Sequence, residues 1–143
     1  MAEPRVVRSG DEKTTILGAG DEYSYLATGA ETDGAYFMMH AIVPPGGGPP
    51  PHIQTREEEG FYVLEGQVTF WIDGKREQVD TGTFLHVPRG VAHHFKNESE
   101  LSARMLIWFV PAGIEEMFSE MAADPDRYKE IGATYGVEFI VEA

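Results

Sequence analysis

GGGPPPHIQTREEEGFYVLEG, Gly46 to Gly66, sets a histidine, a glutamine and three consecutive glutamates directly ahead of an apolar, strand-like run. Polar side chains in such a place need something to point at, because burying them unpaired is costly. Residues two apart on a strand lie about 6.6 Å apart with both side chains on one face, so His52 and Gln54 can reach one point. Glu59 has the wrong parity for an unbroken strand from Gln54, and reaching that point requires a bend or bulge within TREE, Thr55 to Glu58. Glu59 then shares parity with Phe61 and Val63, whereas Glu58 shares it with Gly60 and Tyr62. The glutamate on the apolar face is the one that demands a partner or a metal, and Glu57 and Glu58 read as a solvated surface pair.

The stretch before it, Pro44 to Pro51, is entirely glycine and proline and reads as a stiff loop that delivers His52 to a fixed place. A proline-rich ligand for another domain is a poorer reading, since strand-like residues abut it on both sides. Further out, the chain is a series of short strands at short spacing with turn residues between them, the pattern of an all-β sandwich or barrel. The expected strands are Thr14–Leu17, Tyr23–Thr28, Ala35–Val43, the pair FYVL and QVTFWID joined by a tight hairpin at Glu65-Gly66, Lys75–Val79, Thr83–Val87, Ala92–Lys96 and Ala103–Val110. Ala35–Val43 is apolar on both faces and is expected between two core layers. GAETDG reads as a turn, as does Asp73-Gly74. After Pro111 the spacing of Ile114, Met117, Phe118 and Met121 predicts a helix over Gly113–Ala122, packed against the barrel. Asp124-Pro125 and Gly136 bracket a second helix, and Val137, Phe139 and Val141 alternate as a last extended segment. The organisation expected is an N-terminal arm over 1–20, a barrel over 21–111, and C-terminal helices and tail over 112–143.

The length of 143 residues suits one domain with one site. Acidic residues outnumber basic ones 24 to 11, a net charge of -13, and the cations are scattered. Nucleic acid and anionic membrane surfaces are therefore poor partners. With no cysteine, thiolate ligands, disulfides and a thiol nucleophile are excluded, so any metal must be held by nitrogen and oxygen. The N-terminus lacks the apolar core of a secretion signal and no apolar run is long enough to span a bilayer, so a cytoplasmic protein is expected. Asn97-Glu98-Ser99 has the form of a glycosylation acceptor and is read as a chance match.

A second polar set lies in GTFLHVPRGVAHHFKN, Gly82 to Asn97. Pro88 and Gly90 make a turn that re-enters a strand, on which His93 and Phe95 share the inward face and His94 and Lys96 the outward one. His40, His86 and His94 read as structural or surface residues. Together the two sets read Gly46-x5-His52-x-Gln54-x4-Glu59-x6-Gly66 and Gly82-x5-Pro88-x-Gly90-x2-His93-x3-Asn97. These spacings match the two motifs that mark the cupin superfamily at every position but one, Gln54, where a second histidine is usual. The fixed gap to Gly66 also selects Glu59. Over nearly its whole length the chain resembles the small single-domain bacterial cupins of the quercetin 2,3-dioxygenase-like kind.

The resemblance implies a cupin β-barrel (a double-stranded β-helix or jelly roll) with a short C-terminal helical segment, usually a homodimer, and one divalent transition metal (Fe, Mn, Ni, Co or Zn) inside it. The expected ligands are His52, Gln54, Glu59 and His93. If Gln54 swings away, the 2-His-1-carboxylate set of non-haem iron oxygenases remains. Phe61, Phe70, Phe95 and Met105 are candidates for an apolar substrate wall, and Glu59 for the catalytic base. The reading for function is a metal-dependent dioxygenase acting with O2 on a flavonol or other aromatic, enolisable small molecule. The rivals are a non-redox isomerase or lyase on a small sugar or keto acid, and a non-catalytic small-molecule-binding barrel.

Overall fold

The computed structural model describes residues 2–140. Eleven strands are present: β1 Thr15–Gly18, β2 Asp21–Ala27, β3 Phe37–Val43, β4 His52–Gln54, β5 Glu58–Glu65, β6 Gln67–Ile72, β7 Lys75–Asp80, β8 Phe84–Val87, β9 His93–Lys96, β10 Ala103–Val110 and β11 Val137–Phe139. They form two antiparallel sheets, one in the order β1-β2-β3-β10-β5-β8 and one in the order β11-β4-β9-β6-β7. The fold is the mostly-β barrel expected, with the core between the two sheets. Alternation builds that core: in β3, Phe37, Met39, Ala41 and Val43 are buried, and in β10 Ala103, Met105, Ile107 and Phe109 are.

Two expectations about the sheets are corrected. Glu65-Gly66 is not a hairpin, because β5 and β6 lie in different sheets. Gly66, at φ 87, turns a corner between them, and a Cβ there would lie 3.0 Å from the Ala103 Cα. Nor is β3 sandwiched on both faces, since Met38, His40 and Ile42 are only partly buried. By contrast Asp73-Gly74 makes the two-residue turn between β6 and β7, with both residues at positive φ.

The GAETDG segment holds a short helix, α1 Gly29–Thr32, rather than a bare turn. The Glu31 carboxylate accepts from the Thr28 N–H at 3.1 Å, the reciprocal half of a capping box. The helix predicted after Pro111 is α2, Glu115–Ala123, and a 3-10 turn at Pro125–Arg127 leads into α3, Tyr128–Thr134. Ile114, Met117 and Ile131 are buried in the core cluster. The chain then returns as β11, which pairs directly with β4, Val137 opposite Gln54 and Phe139 opposite His52. Val141 lies outside the described residues. No helix among the described residues is long and apolar enough to cross a membrane.

The loop between β3 and β4 is stiff for a steric reason. Gly48 sits at φ 134, and a Cβ there would meet the Phe95 carbonyl oxygen at 2.0 Å. Gly46 N–H donates to the Asn97 carbonyl at 2.7 Å, and Asn97 N–H to the Gly47 carbonyl at 2.9 Å. Gly48→Ala should therefore cost about 2–4 kcal/mol of folding stability, measured by denaturant unfolding, whereas Gly74→Ala, with open space around it, should cost less.

Candidate metal centre

β4 brings His52 and Gln54 to the inner side of one sheet, and the adjacent strand β9 places His93 opposite His52, with ring centroids 4.4 Å apart. Glu59 reaches in from β5 of the other sheet, its Oε1 2.7 Å from His93 Nε2. One donor atom each from His52, Glu59 and His93 lies within 4.8 Å of the others. Backbone carbonyls fix both rings: His52 Nδ1 faces the Pro50 oxygen at 2.9 Å and His93 Nδ1 the Val91 oxygen at 2.9 Å. With the Nδ1 protons spent on carbonyls, each Nε2 is turned to the site, the second-sphere arrangement that orients metal-binding histidines.

The electrostatics agree with that geometry. Burial pushes the Glu59 carboxyl above the usual carboxylate range, with His93 pulling it back. Burial alone would lower His93, but its hydrogen bond and charge contact with Glu59 outweigh this and hold it up. Burial, and then the neighbouring His93, push His52 down to about 3, so that its imidazole is neutral and its lone pair free.

Gln54 is 3 % exposed and its Oε1 has no hydrogen-bond partner among the described residues. A buried carbonyl oxygen left without a donor is costly, and a cation would satisfy it. Two imidazole nitrogens, one carboxylate and this amide oxygen form a donor set that fits a divalent transition metal without thiolate.

His52, Gln54 and Glu59 of this set line a cavity of about 720 Å³. Tyr23, Phe61, Phe95 and Phe109 line it from the barrel, and Met117, Phe118, Met121 and Tyr128 from the C-terminal segment. Of the four wall residues expected, Phe61 and Phe95 are on the wall. Phe70 and Met105 are fully buried and stand behind it, with Phe70 edge-on to Phe61 at 4.9 Å. The helical stripe read as packing also walls the cavity, which its spacing could not reveal. Of the other histidines, His40 lies 3.1 Å from Arg104, His86 2.6 Å from Glu58, and His94 stacks on Trp71 at the cavity's edge. Asn97 is fully buried and donates to the Val43 and Leu101 carbonyls, so it braces the β9–β10 connection.

One reading is corrected here. Glu57 is not solvated but 4 % exposed, with Oε1 lacking a hydrogen-bond partner, and burial raises its pKa to about 7. The chain bends at Thr55–Arg56, so strand parity does not govern Glu57.

Two antiparallel sheets closed around a His, Glu, His set, with Glu59 and His93 buried and His52 partly so, define a cupin barrel with a candidate metal site. The chain belongs to the cupin family, the cupin domain matching residues 39–109. It is 34% identical over 124 residues to quercetin 2,3-dioxygenase of Bacillus subtilis (strain 168), a match that takes in 87% of this chain and 36% of that protein. The chain thus spans about a third of that relative's length. It is 30% identical over 111 residues to Protein SchB of Streptomyces halstedii, covering 76% of this chain and 79% of the relative. Among solved structures, the polyketide cyclase RemF from Streptomyces resistomycificus superposes with a TM-score of 0.67 at 23% identity, covering 76% of this chain and 80% of that one.

Asp21 borders the loop that carries His52. It is fully buried, accepts from the Tyr23 hydroxyl at 2.7 Å, and keeps Oδ1 without a hydrogen-bond partner. Burial raises its pKa from 3.8 to about 7. The folded state then binds more protons than the unfolded state between these values, so Asp21 makes stability fall as pH rises from about 4 to about 7 and adds no slope above that. Asp21→Asn should remove this component, at most about 4 kcal/mol, in denaturant midpoints measured across that range.

Proposed function

We propose that the chain is a metal-dependent dioxygenase of the quercetinase type, acting with O2 on a flavonol or another aromatic, enolisable small molecule. The observation that carries this reading is the convergence of His52, Glu59 and His93 on one point, with His52 and Glu59 facing a largely apolar, aromatic-lined cavity. The name of the Bacillus subtilis relative supports the same substrate class. His52, Gln54, Glu59 and His93 would hold one Fe, Mn, Ni, Co or Zn ion, which when bound supplies Lewis acidity toward the substrate oxygens.

The chain's own residues do the rest. Phe61, Phe95, Phe109 and Phe118 offer ring faces and edges to a planar substrate and keep water from it. Glu59 is the carboxylate placed to accept the proton of the substrate's acidic hydroxyl. The Val91 carbonyl holds the His93 ring through Nδ1, which keeps its Nε2 beside that carboxylate and turned to the same point. Gln54 Oε1 adds a neutral oxygen to the set and leaves its charge unchanged.

Metal content and O2 uptake with flavonols and diketones, measured on the same preparation, test this. Glu59→Gln should lower kcat/KM at least about 100-fold, and unaltered turnover would defeat its assignment. Turnover that persists undiminished without O2 would instead favour an isomerase or lyase. In a chelator-competition titration, His93→Ala should abolish stoichiometric metal binding, and Gln54→Ala should weaken it about tenfold.

A further inference from the structure

A buried polar pair stands in the cavity wall apart from the metal set: Tyr23, whose hydroxyl donates to Asp21 Oδ2 at 2.7 Å. Tyr23 comes from β2 and Glu59 from β5, and β3 and β10 separate these strands in the six-stranded sheet. The two residues therefore flank a stretch of wall whose middle is Met39 of β3, opposite Ile107 of β10. Among the described residues that line the cavity from the barrel, Tyr23 alone carries a hydroxyl. Asp21 is not in the lining and is fully buried, so the carboxylate stands behind the phenol.

Packing explains the ring but not the pair. The Tyr23 ring meets Phe118 edge-on, centroids 5.7 Å apart, a contact that a phenylalanine would make equally well. Burying a carboxylate to receive one phenolic proton costs more than it returns in stability, and two apolar side chains would fill the space at less cost. What the carboxylate does supply is a direction. The loop that carries His52 closes against it, so that a Cβ on Gly47 would lie 2.3 Å from Asp21 Oδ1, and the carboxylate has no room to swing away. Burial first, then the charge and hydrogen bond of Asp21 and the charge of Glu59, push the Tyr23 pKa well above the usual phenol value, so the oxygen keeps its proton. With that proton committed to Asp21, the Tyr23 oxygen has lone pairs left and no hydrogen to offer. Donation to a carboxylate also makes it a stronger acceptor.

We propose that Tyr23, pinned by Asp21, is a specificity-determining residue that accepts a hydrogen bond from a second hydroxyl of the substrate, remote from the one that meets Glu59. The substrate class is then a polyhydroxylated aromatic rather than any planar apolar molecule. The proposal rests on the flavonol reading above for its ligands, and binding measured without O2 separates it from the reaction. In calorimetric titrations of the chain as purified, quercetin should bind about tenfold more tightly than 3-hydroxyflavone, which has no second hydroxyl, and Tyr23→Phe should bring the two within about twofold. Phe118→Leu, which trims the apolar wall beside Tyr23, should weaken both ligands and keep their ratio. Where Tyr23→Phe fails to fold by circular dichroism, the double variant with Asp21→Asn removes the buried charge as well and should give the same loss of preference. A wild type without preference overturns the proposal, as does a folded Tyr23→Phe that keeps the preference or a Phe118→Leu that loses it equally. A preference that depends on Tyr23, found without O2 uptake, sinks the dioxygenase reading and supports this one. O2 uptake without the preference does the reverse, and binding of neither flavonol overturns both.

Discussion

A carboxylate inside an apolar barrel must be held by something, and the contact between Glu59 and His93 is what the rest of the site depends on. The two residues come from opposite sheets, β5 and β9, and meet at 2.7 Å in a place where both are nearly out of solvent. An ion or a shared proton in that environment is strongly stabilised by its partner and strongly penalised without it. The pair therefore works as a polar fastening across the core, and it sets how far apart the sheets can stand at this level. His52, which faces His93 across a strand pair, and the cavity that opens beyond them take their positions from that spacing.

Around this fastening the backbone does most of the aiming. β4 is only three residues long, yet β9 pairs with it on one side and β11 on the other. Its loop is wedged between Asp21 and the end of β9, where glycines alone fit at Gly47 and Gly48. Carbonyl oxygens of Pro50 and Val91 then fix the two rings. The centre is thereby preorganised by the main chain, which leaves the side chains of the cavity wall free to be chosen for shape and apolarity.

How much of this was readable in advance follows from the range over which each signal acts. Strand period is local, so the inward direction of Glu59, His93 and Phe95 could be read from parity, as could the alternation of β3 and β10. The strand partner is not local. A glycine at positive φ serves a hairpin and an inter-sheet corner equally well, and nothing near Gly66 says which, so β5 and β6 were misjoined. Glu57 failed for a related reason: its burial is set by what packs over a bend, where parity has no meaning. β11 was legible as an extended segment, but its place beside the strand of His52 and Gln54 depends on two intervening helices. The stripe on α2 announced an apolar face without saying whether a packed core or a cavity lay beneath it. The outer face of β3 looked like core because apolar residues on both faces of a strand do not distinguish a second covering layer from a face left partly exposed.

Gln54 is where these arguments meet. An amide oxygen and an imidazole nitrogen are both neutral, so the exchange leaves the charge of the donor set as it was, with Glu59 its one anionic member. What changes is donor strength, since the amide is the harder and weaker donor. A weaker donor is tolerable where its position is secured at no further cost, and here it is: Val137 of β11 pairs with Gln54 along the backbone, and Oε1 is already buried. Much of the desolvation that a cation would demand of this oxygen is thus met in folding. In the proposed metal set the ion would then be less fully satisfied by protein than with a third imidazole, and its remaining charge would act on whatever oxygen the cavity brings to it.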